Sequence, residues 1–119
     1  MADGFRTKRV YDDASPEDGL RVLVDRLWPR GITKERAHLD MWAKDVAPTA
    51  ELRRWFHSAP QDLRDDFAAR YAAELEGPAQ QRQLDELRAQ AAEGTVTLLT
   101  ANKDVEHSHV AILLQHLEK

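Results

Sequence analysis

The tightest constraint on the fold is the unbroken apolar centre of the segment Leu20 to Leu27, Val22-Leu23-Val24. A strand with one face in water alternates apolar and polar side chains, whereas a strand covered on both faces carries a continuous apolar run. Leu20–Leu27 therefore reads as a strand buried on both sides, which demands helices or loops above and below it. Thr95 to Leu99, Thr-Val-Thr-Leu-Leu, reads as another clear strand. Arg6–Tyr11 supplies a further one, with β-compatible Val10 and Tyr11 at its end.

Helical signals fill the intervals. Ser15-Pro16 opens a single turn that exits at Gly19. Thr33 caps a short helix over Lys34 to Leu39, and Met41-Trp42-Ala43 forms a brief strand or extended segment. Thr49 caps a helix carrying Leu52, Trp55 and Phe56. Ser58 and Gln61, with Pro60 in the first turn, form a capping pair for the next. Leu63, Phe67, Tyr71 and Leu75 follow at four-residue spacing, so one face of that helix is apolar until Gly77-Pro78. Gln80–Glu93 forms another helix, stopped by Gly94, and a final helix starts at Asp104 or Glu106 and runs to Leu117. Strands interleaved with helices predict an α/β fold: a single domain over 1–119, with a small, mostly parallel sheet flanked by helices and a helix-rich middle section.

Composition narrows the function. Zero cysteines remove disulfides, thiolate metal sites and cysteine nucleophiles. No apolar run reaches the roughly 20 residues of a membrane span, and the first residues lack a signal core. The expectation is a cytoplasmic chain with no membrane partner. The formal net charge of −4 and pI near 5.7 make nucleic acid an unlikely partner. Against this, Arg21, Arg26, Arg30, Lys34 and Arg36 lie close together around Trp28, a pattern that binds single strands by charge and stacking. Oligomeric state is not legible.

In open α/β sheets, ligands bind beyond the carboxyl ends of the strands. Two such ends carry unusual chemistry: Asp25-Arg26-Leu27-Trp28-Pro29-Arg30-Gly31, and Thr100 to His109. If their strands are parallel neighbours, Asp25, Arg26, Arg30, Asn102, Lys103, His107 and His109 face one crevice. Arg26 and Arg30 offer planar forks for a phosphate or carboxylate. Trp28 walls the pocket, stiffened by Pro29. Asp25 orients the arginines, Lys103 and Asn102 complete the ligand shell, and His109 with Asp25 is the acid/base pair if the site does chemistry. The competing reading pairs Arg26 and Arg30 with Asp25, Asp45 or Asp104 as a purely structural lock, and a second alternative is a non-enzymatic module binding nucleic acid or protein.

Other chemistries find little support. Glu35-x-x-His38 and Glu106-x-x-His109 have the spacing of di-metal bundles, but the strand signals argue against a bundle, so no metal is expected. Ser108 lies between two histidines without the Gly-x-Ser-x-Gly elbow of a nucleophile. No dinucleotide or phosphate-loop fingerprint occurs, so no cofactor is expected.

Taken together the chain resembles a known family nearly end to end. The resemblance runs through Lys8-Arg9-Val10-Tyr11, Asp18-Gly19 and the long block from Arg21 to Gly31. It continues through Trp42, Lys44-Asp45, Ala47-Pro48, Leu52-Arg53, Trp55-Phe56, Phe67, Tyr71 and Glu74-Leu75, then Thr97-Leu98-Leu99, Lys103-Asp104 and His109. These residues resemble the YeaO-like branch of the domain of unknown function 488. The resemblance implies an α/β fold and a small cytoplasmic bacterial or archaeal protein, and carries no settled activity. The family's characteristic residues fall on Asp25, Arg26, Trp28, Arg30, Lys44, Asp45, Lys103, Asp104 and His109. Departures are Thr49 for a usual serine, Ser108 for a common asparagine, and Asn102 for a common alanine.

Overall fold

The computed structural model of the chain describes residues 4–58 and 64–118. Its sheet has four parallel strands, β1 (Phe5–Arg9), β2 (Leu20–Leu23), β3 (Met41–Trp42) and β4 (Val96–Thr100), in the order β1-β4-β2-β3. Parallel neighbours require long crossovers. Between β2 and β3 the crossover contains α1 (Lys34–Ala37); between β3 and β4 it contains α2 (Ala50–Ser58), α3 (Arg64–Leu75) and α4 (Pro78–Glu93), and α5 (His109–Leu117) follows β4. The expected α/β architecture and its helix-rich middle are both present.

β4 is flanked on both sides and is buried at every position, as its apolar run requires. One face of the sheet presents Val22, Val96 and Leu98 to Phe67 and Tyr71 of α3, Leu84 and Leu87 of α4, and Leu113 of α5. The other face carries Val10, Leu23 and Leu99 under Ile32, Ala37, Trp28 and Trp42. Phe67, Tyr71 and Leu75 are buried as their four-residue spacing predicts.

Several caps are as expected. Ser15 and Asp18 form a capping box around the turn Pro16–Asp18. The Thr33 hydroxyl accepts the Arg36 N–H, and the Thr49 hydroxyl accepts that of Leu52 while donating to the Glu74 carboxylate at 2.6 Å. Of the expected cap, Ser58 falls at the end of α2, while Pro60, Gln61 and Leu63 lie outside the described residues.

Two boundaries and one side chain differ from expectation for clear physical reasons. β2 stops at Leu23, not Leu27: the Val24 N–H still reaches the Leu99 carbonyl at 3.0 Å, but the Asp25 carboxylate then takes the place of the next ladder bond. The final helix begins at His109, because Ser108 caps it by accepting the Val110 N–H, and Val105–His107 forms a separate tight turn. Arg21, read from sequence as part of a basic surface, is buried. Strand alternation sends it to the Leu23 face, where it meets Asp18 at 2.6 Å. Among the described residues no helix is long and apolar enough to cross a membrane.

Candidate functional site

β2 and β4 are parallel neighbours, so the loops leaving their carboxyl ends meet. Asp25 joins them. Its carboxylate accepts the Thr100 hydroxyl and the Ala101 N–H, each at 2.7 Å, across a sequence separation of about 75 residues. Both oxygens are thereby engaged by donors of the β4 loop. The expected role of Asp25 as an orienter of Arg26 and Arg30 is not what the structure shows.

The loop after β2 is braced at its own carbonyls. The Trp42 indole donates to the Asp25 carbonyl at 2.7 Å, the Tyr11 hydroxyl to Arg30 at 2.7 Å, and the Trp28 indole to Ile32 at 2.9 Å. Trp28 and Trp42 meet edge to face, with ring centroids 5.5 Å apart. Gly31 makes the turn at a φ of 75°, a conformation glycine adopts without penalty. Arg26 reaches the other way, donating from Nε to Pro48 at 3.2 Å and from Nη2 to Ala47 at 3.1 Å. Among the described residues neither Arg26 nor Arg30 is paired with a carboxylate, so the lock through Asp25, Asp45 or Asp104 weighed from the sequence is not formed, and Arg26 instead ties the loop after β2 to the backbone at Ala47 and Pro48. Asp104 pairs with His107 instead, at 2.7 Å.

These loops border a cavity of about 730 Å³. Asp25, Arg26, Trp28 and Arg30 line it from the β2 side, and Asn102, His107 and His109 from the β4 side. Six of the seven residues expected to share a crevice therefore do so. Lys103 is the exception: it is exposed and outside the lining, because Asn102 turns inward to hydrogen-bond Thr100 while the next residue points to solvent. Arg53 and Phe56 from α2 and Phe67 from α3 also line the cavity. Sequence reasoning missed them. Arg53 and Phe56 are three apart and share a helix face, but only the docking of α2 tells which face meets the cavity.

His109 is set by geometry at the base of the site. Its Nε2 lies 2.9 Å from the Val24 carbonyl and 3.4 Å from an Asp25 oxygen. A carbonyl only accepts, so Nε2 carries the proton and Nδ1 is the basic nitrogen. Burial holds this imidazole below the usual histidine range, and Arg53 pushes the same way. Asp25 and the Val24 carbonyl oppose that shift without reversing it. The folded protein thus refuses a proton that the unfolded chain accepts, and stability falls as pH drops below about 6.5, by at most about 1.4 kcal/mol per pH unit. Urea unfolding between about pH 7.5 and 5.5 checks this: wild type should lose stability more steeply than His109→Gln.

Ser108 is not poised as a nucleophile. Its hydroxyl donates to the Val105 carbonyl at 2.7 Å and accepts the Val110 N–H, and the histidines on either side are engaged elsewhere. Among the described residues no group of three potential ligands is arranged to hold a metal ion.

Comparison with known proteins adds the following. Residues 4–119 match the family described as "Inactive DUF488-N3 subclade". An uncharacterised protein of Mycobacterium tuberculosis (strain H37Rv) is 48% identical over 112 residues, covering 94% of this chain and 92% of that protein. The uncharacterised protein YeaO of Escherichia coli K12 is 43% identical over 114 residues, covering 95% of this chain and 96% of YeaO. No solved structure matches.

Proposed function

Since the chain belongs to the YeaO-like DUF488 family, within the subclade described as inactive, we propose that its cavity binds an anionic small molecule bearing phosphate or carboxylate, without turning it over. The observation that carries this reading is the convergence of Arg26, Arg30 and Arg53 on one cavity, none of them paired with a carboxylate among the described residues. Arg30 and Arg53 leave their N–H forks available to an anion, and Arg26, whose Nε and Nη2 donate to Pro48 and Ala47, adds its charge and remaining N–H groups; fork geometry suits phosphate and carboxylate alike. The cavity volume lies within the range of small-molecule sites, about 300–1,000 Å³.

The absence of turnover is supported by the chain's own residues. There is no cysteine, and Ser108, the serine of the cavity lining, is committed to capping. Neutral His109 then serves as a hydrogen-bond acceptor at the cavity base, and Asp25 as the clamp that keeps the two loops together. A nucleic-acid role draws less support, because burial of Arg21 removes one member of the basic set.

Thermal shift and calorimetry with pyrophosphate, ribose 5-phosphate and citrate test the proposal. A bound anion at about 100 times its Kd should stabilise the protein by about 2.7 kcal/mol. The double variant Arg30→Gln, Arg53→Gln should abolish that gain. Both residues are exposed, so the unliganded stability should move by no more than about 0.5 kcal/mol per site. No stabilisation by any of these anions in low salt would overturn the reading.

A further inference from the structure

The cavity has a second kind of wall that a simple anion leaves unused. Phe56 and Phe67 line it with ring centroids 4.6 Å apart. Phe67 lies 6.0 Å from Tyr71, and Tyr71 lies 6.0 Å from His109 in an edge-to-face contact. The four rings form an unbroken series in which Phe56, Phe67 and His109 line the cavity and the third, Tyr71, is fully buried with its hydroxyl donated to the Val46 carbonyl. The cations stand beside this series. Burial pushes His109 down and Tyr71 up, and the cavity's arginines act on both rings: Arg53 adds to the shift of His109, while Arg26 opposes that of Tyr71.

Phosphate alone would satisfy the guanidinium groups and leave the aromatic part of the lining without a ligand contact. A ligand with a flat ring next to its anion covers both, because aromatic side chains offer stacking surface to any π-face. Resting on the anion reading above, we propose that the ligand is an aromatic ring bearing a phosphate, of mononucleotide size. Arg26, Arg30 and Arg53 take the phosphate; Phe56 and Phe67 take the ring. His109 Nδ1, the basic nitrogen, offers an acceptor to a ring or sugar donor.

Titration calorimetry in low salt with AMP, adenosine and ribose 5-phosphate tests this. AMP should bind at least about tenfold more tightly than either fragment. Phe56→Leu, at a half-buried position, should erase the advantage of AMP over ribose 5-phosphate while leaving ribose 5-phosphate binding unchanged. As a readout independent of any variant, saturating the protein's methyl protons should transfer magnetisation to the adenine protons more strongly than to those of the ribose. Ribose 5-phosphate binding as tightly as AMP would overturn the ring assignment and leave the anion site standing. Adenosine binding as tightly as AMP would overturn the anion site itself, and no binding by any of the three would overturn both. Tenfold tighter binding of a single-stranded oligonucleotide than of AMP would overturn the small-molecule assignment in favour of nucleic acid.

Discussion

Arg21→Met should lower the unfolding free energy by about 3–5 kcal/mol, the usual consequence of removing one partner from a buried ion pair. Arg21 is 3% exposed and Asp18 1%. The guanidinium donates from Nη1 to Asp18 at 2.6 Å, and from Nε and Nη2 to the Ala37 carbonyl at 3.1 and 2.9 Å. It thus ties the turn before β2 to the end of α1. Methionine matches the length but leaves the Ala37 carbonyl short of donors and the Asp18 carboxylate with only Lys8 and the Ser15 groups. The stranded charge should dominate over the lost contact, so adding Asp18→Asn to Arg21→Met should recover part of the loss. Urea unfolding of the wild type, the two single variants and the double variant measures that coupling.

Acid should expose the same network. Burial pushes the Asp18 carboxyl up, but the Ser15 backbone N–H, Lys8 and Arg21 outweigh it and bring the group down to about 2, from an ordinary 3.8. A carboxyl lowered by folding stabilises fully above its unfolded pKa and loses that contribution as pH falls through its folded one. The window is therefore about pH 4 down to 2, and the amount at stake is about 2 kcal/mol.

Gly19→Ala should be the second severe change, with a loss of at least about 2–3 kcal/mol in urea or thermal unfolding. Gly19 has φ 61° and ψ −130°, a combination that is nearly glycine's alone. A Cβ there would lie 2.2 Å from the Thr95 carbonyl oxygen. That oxygen cannot give way easily, because it accepts the Leu20 N–H at 2.9 Å at the start of β2. Relieving the clash would also drag Asp18 from Arg21. Gly31 is the natural control: its φ is 75° but its Cβ would meet open space, so Gly31→Ala should lose only about 1–2 kcal/mol. Equal effects at the two glycines would contradict this account of Gly19.

Local chemistry was largely legible in the sequence. The caps at Ser15, Thr33 and Thr49 rest on bonds spanning three residues, and the buried faces of α3 and α4 on simple periodicity. Even the crevice was reachable, since parallel strands at Val22 and Leu98 bring the loops after β2 and β4 together whatever the details. What failed was pairing across the fold. Asp25 was matched to nearby arginines, yet its partners are Thr100 and Ala101, which only the β2–β4 register brings alongside. Arg21 was grouped with Arg26 and Arg30 by proximity, although strand alternation places it beside Leu23 and Asp18 beneath the Gly19 reversal. Arg53 and the aromatic floor depend on how α2 and α3 dock, which no local pattern specifies.

The anion site is tested most directly by titrating pyrophosphate into ¹⁵N-labelled protein at low salt and following the arginine side-chain Nε–H signals. Saturable shifts shared by Arg26, Arg30 and Arg53 are expected, with the Arg26 shift lost in the Arg30→Gln, Arg53→Gln variant. Weak, non-saturating shifts spread over exposed arginines such as Arg36, with the three cavity arginines unmoved, would contradict it.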